Sequence, residues 1–185
     1  MPIPTGFAQV NVQYNQEFLL QPEEVTFGIE AAAYDVALAN LILDSWQSNM
    51  KPFCFNGDTI GPLTIRTSDN MVFVATTSAE AGTDSGAGAS AQVAFLVQKN
   101  TARGGRMGRG RFFLPGVVEG RINSAGALST GTAASLEGGL DTVQSDLGAA
   151  DVGMFLLHAD GSTPDEITGF TAKPQCATQR RRLGR

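Results

Sequence analysis

A chain of 185 residues, 42% of them hydrophobic and 17% charged, is long enough to bury its own core and short enough that one domain is expected. Its net charge of −5 argues against a dedicated nucleic-acid binder, which needs a large basic surface to neutralise several phosphates.

In chain order, the first predicted element is 7–17, where Phe7, Val10, Val12 and Tyr14 stand among glutamines and asparagines. It reads as a strand or extended arm, either an edge strand or a segment that pairs along another chain. Val25, Phe27 and Ile29 then alternate with Thr26, Gly28 and Glu30 in a short strand. From Ala31 the period changes to three and four. Val36, Ala39, Leu43, Trp46 and Met50 predict an amphipathic helix over 31–50, widened by Leu38, Leu41 and Ile42 and stopped before Pro52. Trp46 is expected to anchor a core or an interface.

Leu63, Ile65 and then Met71, Phe73 predict two strands joined by the polar turn Ser68-Asp69-Asn70. The small-residue run that follows predicts a loop at 80–90, mobile or ordered by a partner. Val93–Val97 and Phe112–Leu114 predict strands on either side of a second long loop, 102–111. Leu136, Leu140, Val143 and Leu147 predict a second, shorter helix, with Thr132 or Ser129 as N-cap and Gly148 as C-cap. Gly138 and Gly139 place its start near Leu140 unless packing supports it. Val152–Leu157 is the last predicted strand. The expected fold is α+β, a mainly antiparallel sheet packed with one long and one shorter helix. Residues 1–172 form the single domain, with an extended N-terminal segment, and 173–185 a basic C-terminal arm.

Charge is segregated along the chain. Residues 1–98 hold ten acidic and two basic side chains, and 99–121 six basic and one acidic; 122–172 hold seven acidic and none basic, and 173–185 five basic. Such alternation suits complementary contacts between copies or partners. Arg103, Arg106, Arg109 and Arg111, with Lys99 before them, lie on a glycine-rich backbone, and Arg180, Arg181 and Arg182 make a second block. Arginine's planar fork directs pairing to carboxylates or phosphate, so these seven arginines are the candidate interface residues.

Chemistry-bearing motifs are scarce. His158, the single histidine, has no GxSxG serine to work with and reads as a strand-end residue that hydrogen-bonds locally. Cys54 and Cys176 belong to no CxxC pair or Cys/His cluster; they read as free thiols, with one long-range disulfide as the alternative. The glycine-rich 104–110 stretch lacks GxxxxGK[ST] and runs into a strand instead of a helix N-terminus, so nucleotide binding is not expected. Neither catalytic residues, metal, cofactor nor small-molecule substrate is expected. The opening MPIPTGFAQ lacks the basic and apolar regions of a signal peptide, and no apolar run is long enough to span a membrane.

The run Thr101-Ala102-Arg103-Gly104-Gly105-Arg106-Met107-Gly108-Arg109-Gly110-Arg111-Phe112-Phe113-Leu114-Pro115-Gly116, the stretch Ala177–Leu183 containing Arg180-Arg181-Arg182, and an early helix with a tryptophan together resemble small structural proteins of tailed bacteriophages. That resemblance implies a non-enzymatic virion subunit made in the host cytoplasm. It would be a homo-oligomer, forming a ring at the head-tail junction or tail with other virion proteins. A capsid-associated or other tail component, or a protein contacting packaged nucleic acid through its C-terminal arginines, is the alternative.

Overall fold

The structure, a computed structural model, describes residues 2–15, 23–51, 59–77, 80–81, 90–102, 111–119 and 130–175. Its first strand, β1 (Phe7–Asn15), shows how the sequence pattern is used. Ala8, Val10, Val12 and Tyr14 are buried on one face, while Gln9, Asn11 and Gln13 stand on the other. Phe7 breaks that alternation and packs edge-on against Phe155, ring centroids 5.0 Å apart.

This strand is neither an edge nor an arm. It pairs antiparallel with β2 (Glu23–Glu30) on one side and β3 (Thr59–Thr67) on the other. Polar residues point outward here because that face is hydrogen-bonded side chain to side chain. Gln9 donates to Asn11 at 3.0 Å, Thr26 to Asn11 at 2.9 Å, and Arg66 to Gln9 at 3.3 Å. Opposite Gln13, β3 carries a bulge at Gly61-Pro62, whose peptide is cis.

The remaining strands are β4 (Val72–Val74), β5 (Glu80–Ala81), β6 (Ser90–Thr101), β7 (Arg111–Glu119), β8 (Gly153–Leu156) and β9 (Asp165–Gln175). All described pairings are antiparallel, along the path β4-β3-β1-β2-β8-β9-β6-β7, with β5 also on β3. The fold is therefore α+β with a mainly antiparallel sheet.

β9 is absent from the sequence reading. Ile167, Phe170 and Ala172 are all buried, yet their spacing is three then two. A bulge at Thr168-Gly169 shifts the alternation by one residue, and Gly169 takes it up with φ +147°. The strand continues through Lys173 to Gln175, residues read from sequence as the start of an arm.

Helix α1 (Val36–Met50) starts five residues later than its hydrophobic pattern predicts. Asp35 caps it, accepting a hydrogen bond from the Leu38 amide at 2.7 Å, so Ala31–Tyr34 approach as irregular chain. Ala39, Ile42, Leu43, Trp46 and Met50 face the sheet; Val36 and Leu41, expected in the stripe, are 38% and 39% exposed. Trp46 stacks on Phe27 at 5.6 Å and its indole N–H donates to the Tyr14 hydroxyl, so its polar edge is satisfied inside the core.

Helix α2 (Thr130–Ala149) is the longer of the two, beginning ten residues before Leu140. Leu136, Leu140, Val143 and Leu147 are fully buried, and that packing supports the helix through Gly138 and Gly139. Its end is not at Gly148. Asp151 adopts the left-handed conformation (φ 57°), its amide donates to Gly148 O at 3.1 Å, and the Val152 amide donates to Leu147 O at 2.9 Å. These two bonds close a Schellman motif with aspartate where glycine is usual.

The two helices pack side by side on one face of the sheet. Asp146 of α2 joins them, accepting from Ser45 at 2.7 Å and Asn49 at 3.1 Å. No helix among the described residues is long and apolar enough to cross a membrane.

Leu43→Ala should lower stability by about 2–5 kcal/mol. Leu41→Ala, two residues earlier on the exposed side, should cost less than half as much. Urea midpoints measure both, and equal losses would contradict the assigned face.

Candidate interaction surfaces

Of the arginines singled out by sequence, Arg103, Arg106, Arg109, Arg180, Arg181 and Arg182 lie outside the described residues. Arg111 opens β7, with its backbone in register with Gln98 of β6. Cys54 and Cys176 also lie outside.

Lys99 separates from this group. It shares the inward face of β6 with Phe95, Val97 and Thr101 and is 5% exposed, so it belongs to the interior and not to the basic loop. Its ammonium donates to the backbone carbonyl of Thr26. Burial pushes its pKa down to about 8. Alternation along β6 is the sequence signal that would have placed it, since residues 95, 97, 99 and 101 fall on one side of a strand.

The position of Lys99 follows from the sheet. β8 meets β2 only at Gly28–Glu30, and meets β9 only at Asp165 and Glu166. Because β8 pairs with so few residues of β2 and β9, most of the β8-facing side of each strand lacks a ladder partner among the described pairings, and side chains reach backbone groups along both. Besides Lys99 on Thr26, Gln144 of α2 donates to Ile167 O, and Glu137 of α2 accepts from the Ala172 amide at 2.6 Å.

His158 hydrogen-bonds Asp165 through Nε2 at 3.2 Å, tying the exit of β8 to the start of β9. This is the local, strand-end arrangement expected of it. Among the described residues no group of three or more His, Cys, Asp or Glu is placed to hold a metal ion.

The described body is acidic outside. Asp35, Asp44, Asp69, Asp141, Asp146 and Glu166 are among its exposed carboxylates, whereas of the basic residues whose burial is described Lys173 is exposed, Arg66 and Lys51 are half-buried and Lys99 is buried. One area sets a carboxylate, Asp69, among apolar side chains. At the β4 end of the sheet a groove of about 420 Å³ is lined by Phe7, Tyr34, Asp69, Met71 and Phe73, among others. Tyr34 is held by its hydroxyl donating to Gly6 O at 2.6 Å. Burial raises the Tyr34 pKa, and the nearby charge of Glu30 adds to it. Asp69 accepts from the Thr67 hydroxyl, which holds its carboxyl below the usual range. Met71, in the groove lining, is 53% exposed, and Val72 and Val74, which alternate with Phe73 along β4, are 57% and 45% exposed. Asn40 of α1 fixes the chain just after β4, accepting from the Thr76 amide at 2.7 Å.

Compared with protein-family models, curated proteins and solved structures, the chain has no match.

The lysine gives a pH dependence. Between about pH 8 and 10.5 the folded chain has released the Lys99 proton and the unfolded chain still binds it, so stability rises with pH across that window and is flat below it. Relative to Lys99→Met, which keeps the aliphatic stem, the wild type should gain up to about 3 kcal/mol between pH 7 and 10. Paired urea titrations at the two pH values measure the gain, and a pH-independent difference would contradict a buried, titrating ammonium.

Proposed function

We propose that this chain is a non-enzymatic structural subunit of a tailed-bacteriophage particle, forming a ring at the head-tail junction or tail through arginine contacts between subunits. The observation that supports it best is the division of charge between a body whose described surface is rich in carboxylates and two arginine blocks at 103–111 and 180–182. In a head-to-tail ring each copy offers one face to a different face of the next, and acidic and basic surfaces on opposite faces complement each other around the circle. Buried, bidentate arginine–carboxylate pairs would fix the register, while pairs left at the rim would add little.

Arg180-Arg181-Arg182 also supports a second reading, in which this block meets packaged nucleic acid. One experiment separates the two. Arg106→Ala with Arg109→Ala, and separately removal of residues 180–185, should each block incorporation into particles while the purified chain still melts normally. Losses of about 2–5 kcal/mol per critical pair are expected where the contact is buried. Normal incorporation of both variants would overturn the assembly role, and loss of nucleic-acid retention alone would favour the second reading.

A further inference from the structure

β4 ends the strand path, and its hydrogen-bonding phase shows which backbone groups it leaves open. The Thr67 amide donates to Met71 O at 3.0 Å and the Ala75 amide to Leu63 O at 3.0 Å, so Phe73, in register with Ile65, turns its amide and carbonyl toward β3. Val72 and Val74 therefore turn theirs away from the sheet. The opening stops at both ends, because the Asn70 amide donates to Thr67 O at 3.1 Å and the Thr76 amide to Asn40 Oδ1 at 2.7 Å. Natural sheets commonly guard such an edge with charge, proline or a bulge. β4 is short and otherwise unguarded: residues 70–77 include no charge and no proline, the register with β3 is unbroken, and Val72 and Val74 are exposed.

We infer that β4 pairs antiparallel with β4 of a second copy of the chain, making one continuous sheet across a two-fold axis. This contact goes beyond the arginine contacts proposed above and does not depend on them. The register fits a copy of the same strand. With the axis at Phe73, Val72 of each copy stands opposite the partner's Val74, and the four open amides and four open carbonyls all pair, in four hydrogen bonds. The side chains match in that register too. Valines meet valines on one face, and on the other the two Phe73 rings fall where cross-strand side chains come closest. Charge allows the approach as well. Exposed carboxylates set two copies against each other over much of the body, but here the flanking Asp69 lies opposite the partner's Thr77, which leaves the two Asp69 at opposite ends of the pair. The far end of the sheet path offers β4 no equal partner, since β7 packs against β2 and includes Pro115, which has no amide to donate.

The test is sedimentation of the full chain up to about 1 mM, in about 0.5 M salt so that arginine–carboxylate contacts are screened. The wild type should show a monomer–dimer equilibrium. Val74→Pro removes the outward amide and keeps the bonds of Phe73 to β3; it takes away two of the four hydrogen bonds and should weaken the dimer roughly tenfold or more without changing the melting temperature. Val74→Thr, which keeps the amide, should still dimerise. Val72→Lys with Val74→Lys, and separately Val72→Glu with Val74→Glu, should each stay monomeric and folded, and an equal mixture of the two in about 0.1 M salt should pair one to one. A wild type that is monomeric throughout, a dimer untouched by Val74→Pro, or a lysine and a glutamate variant that fail to pair would overturn the inference. Self-association that survives Val74→Pro and disappears with Arg106→Ala and Arg109→Ala overturns the strand contact and leaves the ring reading standing. A dimer that needs β4, in a chain whose arginine variants enter particles normally, supports the strand contact and removes the arginine role.

Discussion

Backbone hydrogen bonding around the four-residue strand β8 constrains the whole molecule. A buried amide or carbonyl without a partner costs free energy comparable to a lost hydrogen bond, so a sheet that forks must find substitutes for the missing strand. Three side chains supply them here: Lys99 from β6, and Gln144 and Glu137 from α2. Each has a long, polar-tipped stem able to reach strand backbone from a neighbouring element. The placement of α2 follows from this, because its buried leucine and valine stripe and its Glu137 and Gln144 must engage the sheet together. A purely apolar helix in the same place would fill the volume and leave the backbone of β9 unsatisfied.

Burying Lys99 at the fork is costly, because its ammonium is taken out of water. Met at this position would pack the stem and offer nothing to Thr26. The fork therefore trades stability near neutral pH for a defined junction between the two parts of the sheet.

Much of the architecture was legible in the sequence, and the failures share a cause. The stripe Leu43, Trp46, Met50 and the strands around Phe27, Ile65 and Phe73 follow undisturbed periods, and those elements stand where the pattern puts them, save that α1 begins only at its Asp35 cap. β9 was missed because its bulge breaks a period-2 reading and because Gly169 and Pro174 look like strand breakers. β1 looked like an arm because Gln9, Asn11 and Gln13 carry no hydrophobic signal, although their hydrogen-bonded row belongs to an interior strand. Lys99 was assigned by charge when its neighbours Val97 and Thr101 assign it by alternation. Of the candidate site, the carboxylate-rich body was visible as composition, while the groove was not. Its lining comes from Phe7, Tyr34 and Met71, brought together only by the β1–β3–β4 order of the sheet.

The fork has a mechanical side. Between β8 and β9 the strand pairing is only two residues long, Phe155 with Glu166 and Leu156 with Asp165, so the two wings of the sheet meet across a narrow seam. A pull that spreads the wings would fall on those few backbone bonds and on the bond from Lys99 to Thr26. The clasp of Asp146 on Ser45 and Asn49 spans the helices above, working in parallel with the seam like a tie-bar across a hinge.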